Sequence, residues 1–264
     1  MTSEEGAPRR MQRRTPVWSA PDDVLELMGE VSGNELNGWG EPDVRQPTLV
    51  MWANPAKLAH GAVQTRMTEE FVSHPELQGV LRMTDRHEPA AIANTQAQRD
   101  PQDWVTALTE FATSPDGHSV ELVGITQPQP EWFFEGRSSD LPWMVVLAIA
   151  MDHEQLATAP EYTSAIEVHR QYNRGTSAAR SLADWFRRQG FEAHGHGGPG
   201  AGPIQMVPAA IQAGLGELGK HGSIINRELG SSFRLAAVLT NAPLAASSPD
   251  AFGVDDFCVG CRVC

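Results

Sequence analysis

The chain has 264 residues, 41% of them hydrophobic and 20% charged, and a formal net charge of −13 at pH 7. That length buries a substantial core without disulfide or metal staples, and the acidic excess argues against binding nucleic acid through bulk electrostatics. No apolar run approaches the roughly 20 residues of a membrane-spanning helix, the strongest being Leu141 to Met151.

Residues 1–20 carry Arg9, Arg10, Arg13 and Arg14, a pattern that invites a twin-arginine export reading. The acidic, polar stretch after them supplies no apolar segment for a signal. The expectation is a disordered basic tail and a cytoplasmic protein. Residues 21–117 read as mainly helical. Asp22 and Asp23 suit the first turn of "DDVLELMGEV", and "NPAKLAHGAVQTRMTEEFV" and "DPQDWVTALTEFAT" follow as helices. In the last, Trp104, Leu108 and Phe111 recur at i, i+4 and i+7. The Trp, Met and His residues of this half read as core and surface residues, not ligands.

Over residues 118–250 the texture changes. "SVELVGIT" is a short β-branched strand, and "WMVVLAIAM" is a continuous apolar run that suits a central buried strand. A long helix is predicted over Tyr162 to Gly190. Ala178, Leu182, Trp185 and Phe186 would form its core face, and Ser177, Ser181, Asp184 and Arg188 a wetter one. Gly175 marks either a kink or a close approach, and Gly190 a helix stop. A helix "IQMVPAAIQAG", a glycine-punctuated stretch and a strand "SFRLAAVLTN" follow. Strands alternating with helices predict an α/β fold with a mixed sheet flanked by helices.

Three motifs bear on chemistry. Gly195, Gly197 and Gly200 match G-x-G-x-x-G, but Pro199 and Pro203 interrupt the turn that a dinucleotide fingerprint needs. A glycine loop lying against a large flat ligand is the better reading. His194 and His196 form an i, i+2 pair with no third ligand nearby, and read as ordinary loop residues. All three cysteines, Cys258, Cys261 and Cys264, fall in the last seven residues as C-x2-C-x2-C. That spacing gives the first three ligands of an iron–sulfur motif, C-x2-C-x2-C-x3-C-P, without the fourth. Residues 251–264 therefore read as the incomplete beginning of a 4Fe-4S module.

The stretch "AAIQAGLGELGKHGSIINRELGSSFRLAAVLTNAPL" (Ala209 to Leu244), with the cysteine run beyond it, resembles the cobalamin-dependent reductive dehalogenases and their relatives, the epoxyqueuosine reductases. The resemblance covers roughly Leu141 to Cys264. It implies a nitroreductase-like α/β fold that holds a base-off cobalamin (a corrinoid), followed by a ferredoxin-like module whose [4Fe-4S] clusters feed it electrons. Gly214, Gly216, Gly219 and Gly222 would let backbone approach the corrinoid, or else form turns at a helix cap. Lys220 and His221 would contact its amide side chains or face solvent. Tyr172 stands where the dehalogenases keep their proton donor and Arg234 where they keep a basic neighbour, with Tyr162 as the fallback. A phenol with a reference pKa of about 10 is protonated at neutral pH, and an adjacent guanidinium favours the phenolate left behind.

The function so implied is reductive dehalogenation of a small organohalide, with electrons from a donor protein or reductase domain and without membrane or nucleic-acid partners. Two alternatives stay open. One is an epoxyqueuosine reductase acting on tRNA, which the acidic charge disfavours. The other is an inactive corrinoid-binding or electron-transfer fragment, because the cysteine motif is incomplete.

Overall fold

The computed structural model describes residues 22–28, 43–81, 87–198 and 202–261. The tail read over residues 1–20, together with Pro199, Gly200 and Cys264, lies outside them. The described helices are α1 (Asp22–Met28), α2 (Gly61–Ser73), α3 (Pro75–Leu81), α4 (Pro101–Thr113), α5 (His153–Leu156), α6 (Tyr162–Arg188), α7 (Met206–Gln212) and α8 (Val254–Cys261). The strands are β1 (Leu122–Thr126), β2 (Trp143–Ala150), β3 (Ala193–His196), β4 (Glu217–Leu218), β5 (Ile224–Ile225) and β6 (Phe233–Thr240).

The main sheet has the order β1-β2-β6-β3, and β4 and β5 form a separate small hairpin. Every neighbouring pair of the main sheet is antiparallel, where the alternation of strands and helices predicts a mixed sheet. The reason is the position of β6. Strands β2 and β3, joined through α6, do run in the same direction, as a strand–helix–strand crossover requires. But β6 enters between them, antiparallel to both. The crossover is present and split.

Both faces of this sheet are covered, which is why β2 lacks polar residues. Side chains alternate across a strand. On one face Val145, Leu147, Ile149, Ala236 and Val238 pack with Trp104 and Leu108 of α4 and with Ala178, Leu182 and Phe186 of α6. On the other, Met144, Val146, Ala148, Ala237 and Leu239 pack with Ala209 and Ala210 of α7, Leu215 and Ile224. The predicted core stripe of the long helix is thus the stripe that meets the sheet.

Gly175 sits inside a continuous α6, and the sheet is what approaches it. A Cβ there would lie 3.2 Å from Ile149 and 3.3 Å from Ala236. The helix stops at Gly190, whose φ of +89° is open to glycine at little cost. The N–H groups of Gly190 and Phe191 donate to the carbonyls of Arg187 and Phe186 at 3.0 and 3.1 Å, closing a glycine C-cap. Near the other end Glu167, 1% exposed, accepts from the Asp152 N–H at 2.9 Å, from Gln171 Nε2 at 2.8 Å and from Arg170 at 3.0 Å. This carboxylate ties the end of β2 to α6. Among the described residues no helix is long and apolar enough to cross a membrane.

Candidate functional site

The close contact at Gly175 fixes the geometry of the site. Tyr172 lies three residues before Gly175, on nearly the same side of α6. Arg234 lies two residues before Ala236, on the same face of β6. One turn of helix and one strand repeat therefore carry the two side chains beyond the packed core and bring them together. The Arg234 guanidinium carbon sits 5.0 Å from the centroid of the Tyr172 ring, within cation–π range. Arg234 Nε is buried with no hydrogen-bond partner. Buried donors are nearly always satisfied, so this one points to an acceptor that a ligand would bring.

Both residues line a cavity of about 380 Å³. The glycine loop contributes Gly198 and Gly202, the turn into β5 contributes Ser223 and Ile224, and α7 contributes Met206. Most of the remaining wall is apolar, including Phe134, Phe233 and Leu49 to Trp52, with Thr48 and Gln205 as its polar members. Met51 and Trp52 fall among the Met and Trp residues that the sequence reads as core and surface. The signal that would have found them is a chain reversal onto the site, which composition does not carry.

Behind Tyr172 lies a second residue that the sequence did not single out. His169, 7% exposed, packs edge-on to Phe71 at 4.9 Å and to Tyr172 at 6.2 Å between ring centroids. Its Nδ1 donates to the Ala165 carbonyl at 2.8 Å, because a carbonyl can only accept. The other ring nitrogen is buried without a partner. The fallback Tyr162 lies apart, donating to Glu70 at 3.0 Å. That hydrogen bond to a carboxylate pushes its phenol above the ordinary range.

The other residues singled out in the sequence are placed as follows. A Cβ on Gly214 would lie 2.3 Å from the Ser248 carbonyl oxygen, and one on Gly216 2.2 Å from that of Ile225. One on Gly219 would meet the His221 ring at 2.5 Å. At these three positions the missing side chain makes room for the protein's own atoms. Of these four glycines, Gly222, at φ +81°, is the one with open space around it. Lys220 pairs with Asp255 at 3.7 Å, and His221 Nδ1 accepts from the Ser223 N–H at 3.3 Å. Gly195 and Gly197 let β3 lie directly on α6, since a Cβ would come within 2.4 Å of the Ala179 oxygen or 2.6 Å of Thr176 Cα. His194 is paired with Glu192 at 3.1 Å.

Cys258 and Cys261 sit half-buried on α8, three residues apart and so on one side of the helix. Glu217 of β4 holds the start of α8, accepting from the Phe252 and Val254 N–H groups at 2.6 and 3.2 Å. Arg227 pairs with Asp250, four residues before α8, at 2.6 Å. Among the described residues no group of three or more His, Cys, Asp or Glu could hold a metal ion; the third cysteine, Cys264, is not among them.

No family model matches the chain. It is similar to tetrachloroethene reductive dehalogenase of Desulfitobacterium hafniense, 30% identical over 182 residues, which is 67% of this chain and 30% of that one. It is also similar to epoxyqueuosine reductase of Escherichia coli, 44% identical over 62 residues, 24% of this chain and 15% of the other. Among solved structures, the catabolic reductive dehalogenase NpRdhA in complex with 3-bromo-4-hydroxybenzoic acid shares the fold, with a TM-score of 0.59 and 23% identity. The match covers 79% of this chain and 30% of that one. The chain spans about 30% of the length of the curated reductive dehalogenases it matches.

Proposed function

Since the chain belongs to the reductive dehalogenase family, we propose that it carries the substrate cavity of a corrinoid- and iron–sulfur-dependent reductive dehalogenase. The reaction takes an organohalide, two electrons and one proton to the carbon–hydrogen product and a halide ion. The observation that carries this reading is Arg234 over the Tyr172 ring at the end of a largely apolar cavity.

The cavity, at about 380 Å³, suits a ring-sized organic molecule, since small-ligand pockets begin at about 300 Å³. It is too small for a whole corrinoid. Gly198, Gly202 and Ser223 would meet one side of that group, where absent or short side chains leave main chain accessible. When bound, the corrinoid supplies the electrons that break the carbon–halogen bond. The protein's own residues do the rest. The largely apolar wall offers the reacting carbon few competing proton donors, and the proton comes from one placed group. Tyr172 gives up its phenolic proton to that carbon. The Arg234 guanidinium stabilises the resulting phenolate, an opposite charge favouring the ionised form. Its unpartnered Nε would donate to a polar atom of the substrate. Cys258 and Cys261, with Cys264, would supply three of the four thiolates of a [4Fe-4S] cluster, itself reduced by a donor protein or domain.

The short match to an epoxyqueuosine reductase keeps a tRNA substrate as the second reading. The net charge of −13 weighs against it, because phosphate recognition needs a basic surface. The test is anaerobic reconstitution of the purified chain with iron, sulfide and cobalamin, followed by reduction in the presence of a bromophenol. A shifted cobalamin spectrum and bromide release are expected. If the cobalamin spectrum does not change when the chain is added, the reading is wrong.

A further inference from the structure

We propose that Trp52 is a specificity-determining residue of this cavity, its indole selecting flat ring-shaped substrates, with Gln64 as the positioning residue that holds it in place. The proposal deepens the dehalogenation reading and rests on it for the class of substrate.

Trp52 has a φ of +63°. A bulky non-glycine residue in the left-handed region is a backbone outlier, and such strain persists only where the surroundings over-determine it. Here the surroundings do so. The Trp52 N–H donates to Gln64 Oε1, and Gln64 Nε2 donates to the carbonyl of Ala53 at 2.7 Å. Both ends of one side-chain amide, only 7% exposed, therefore grip consecutive residues of the strained turn. The segment's other end is fastened as well, the Glu135 N–H donating to the Pro47 carbonyl at 2.9 Å. Between these two ties the segment Thr48–Trp52 forms a wall of the cavity.

Apart from Thr48 that wall is apolar, and it is poorly covered by the protein. Leu49, Val50 and Trp52 are 36%, 47% and 39% exposed. With its backbone clamped, Trp52 offers the cavity a large aromatic side chain that has only two torsions left to order. The strained, doubly clamped turn has no role in the core clusters on either face of the sheet. Its evident use is to hold the indole against whatever occupies the cavity.

The experiment uses the purified 264-residue chain and two flat probes, 4-bromophenol and 4-methylphenol, with affinity measured by calorimetry. Trp52→Gly, which keeps the left-handed turn and removes the ring, is expected to weaken both probes at least tenfold. Trp52→Phe should stay within threefold of the native chain. Gln64→Leu should speed hydrogen exchange at the Trp52 amide and weaken both probes similarly. The proposal is overturned if Trp52→Gly binds as tightly as the native chain, or if the native chain binds neither ring. Bromide release is scored separately. A chain that binds both rings through Trp52 but releases no bromide refutes the dehalogenation reading and leaves the role of Trp52 standing.

Discussion

Substituting Gly195→Ala separates two meanings of the glycine-rich stretch. In the native chain β3 lies against α6 so closely that a Cβ at residue 195 would sit 2.4 Å from the Ala179 oxygen, 2.6 Å from its carbonyl carbon and 2.8 Å from the Arg180 nitrogen. All three are backbone atoms, so no side chain can rotate away. Relief requires α6 to withdraw by about 1 Å or β3 to loosen its pairing at Val238. Overpacking of this kind costs about 1–3 kcal/mol, and the upper end applies where both sides are backbone. Gly222→Ala is the control: its φ is +81° but nothing lies within 4 Å of the added Cβ, so only the left-handed penalty of about 1 kcal/mol remains. Urea denaturation with matched slopes reads the difference directly. Gly195→Ala should lower the midpoint by about twice as much as Gly222→Ala or more. Equal losses, or a stable Gly195→Ala chain with altered cofactor binding alone, would refute the packing argument.

Two further outcomes follow from buried and exposed carboxylates. Glu167→Ala leaves the Asp152 N–H and the Gln171 amide without their acceptor and should cost about 3 kcal/mol, whereas Glu167→Gln keeps an acceptor and should cost about 1 kcal/mol. Chemical denaturation of the two variants checks the ranking. The Arg227 guanidinium holds the Asp250 carboxyl below the usual carboxylate range. Its folded value is depressed, so the contribution is present above the unfolded value of about 3.9 and is lost as pH falls through the lower, folded one. Protease cleavage between residues 247 and 253 should rise in that acid window for the native chain. For Asp250→Asn it should already be high at neutral pH and show no such step.

Some of this was legible in the sequence because the physics is local. The β2 run has no polar residue because it is covered on both faces, and the stripe Ala178, Leu182, Phe186 repeats at helical spacing because it meets one flat surface. Tyr172 and Arg234 are paired only by the family resemblance, not by any local pattern, and they meet because the small Gly175 lies beside Ala236. The strand order was not legible, because β6 joins β2 and β3 through pairs that lie 41 to 97 residues apart along the chain. Nor can a sequence say whether a missing side chain faces a ligand or the chain's own backbone. For Gly214 and Gly216 the sequence leaves open a corrinoid or a turn, and a Cβ there would meet the carbonyls of Ser248 and Ile225. Trp52 is not legible for a similar reason: its backbone is held by Gln64, 12 residues on.

The central claim is that Tyr172, beside Arg234, delivers the proton that replaces the halogen. The most direct measurement is bromide release by the reconstituted chain with Tyr172→Phe, together with calorimetric binding of 4-bromophenol. A positioned general acid contributes about 10²–10⁴-fold, so release should fall by at least a hundredfold while binding stays within a few-fold of the native chain. A Tyr172→Phe chain that binds the phenol and releases bromide at the native rate would contradict the account.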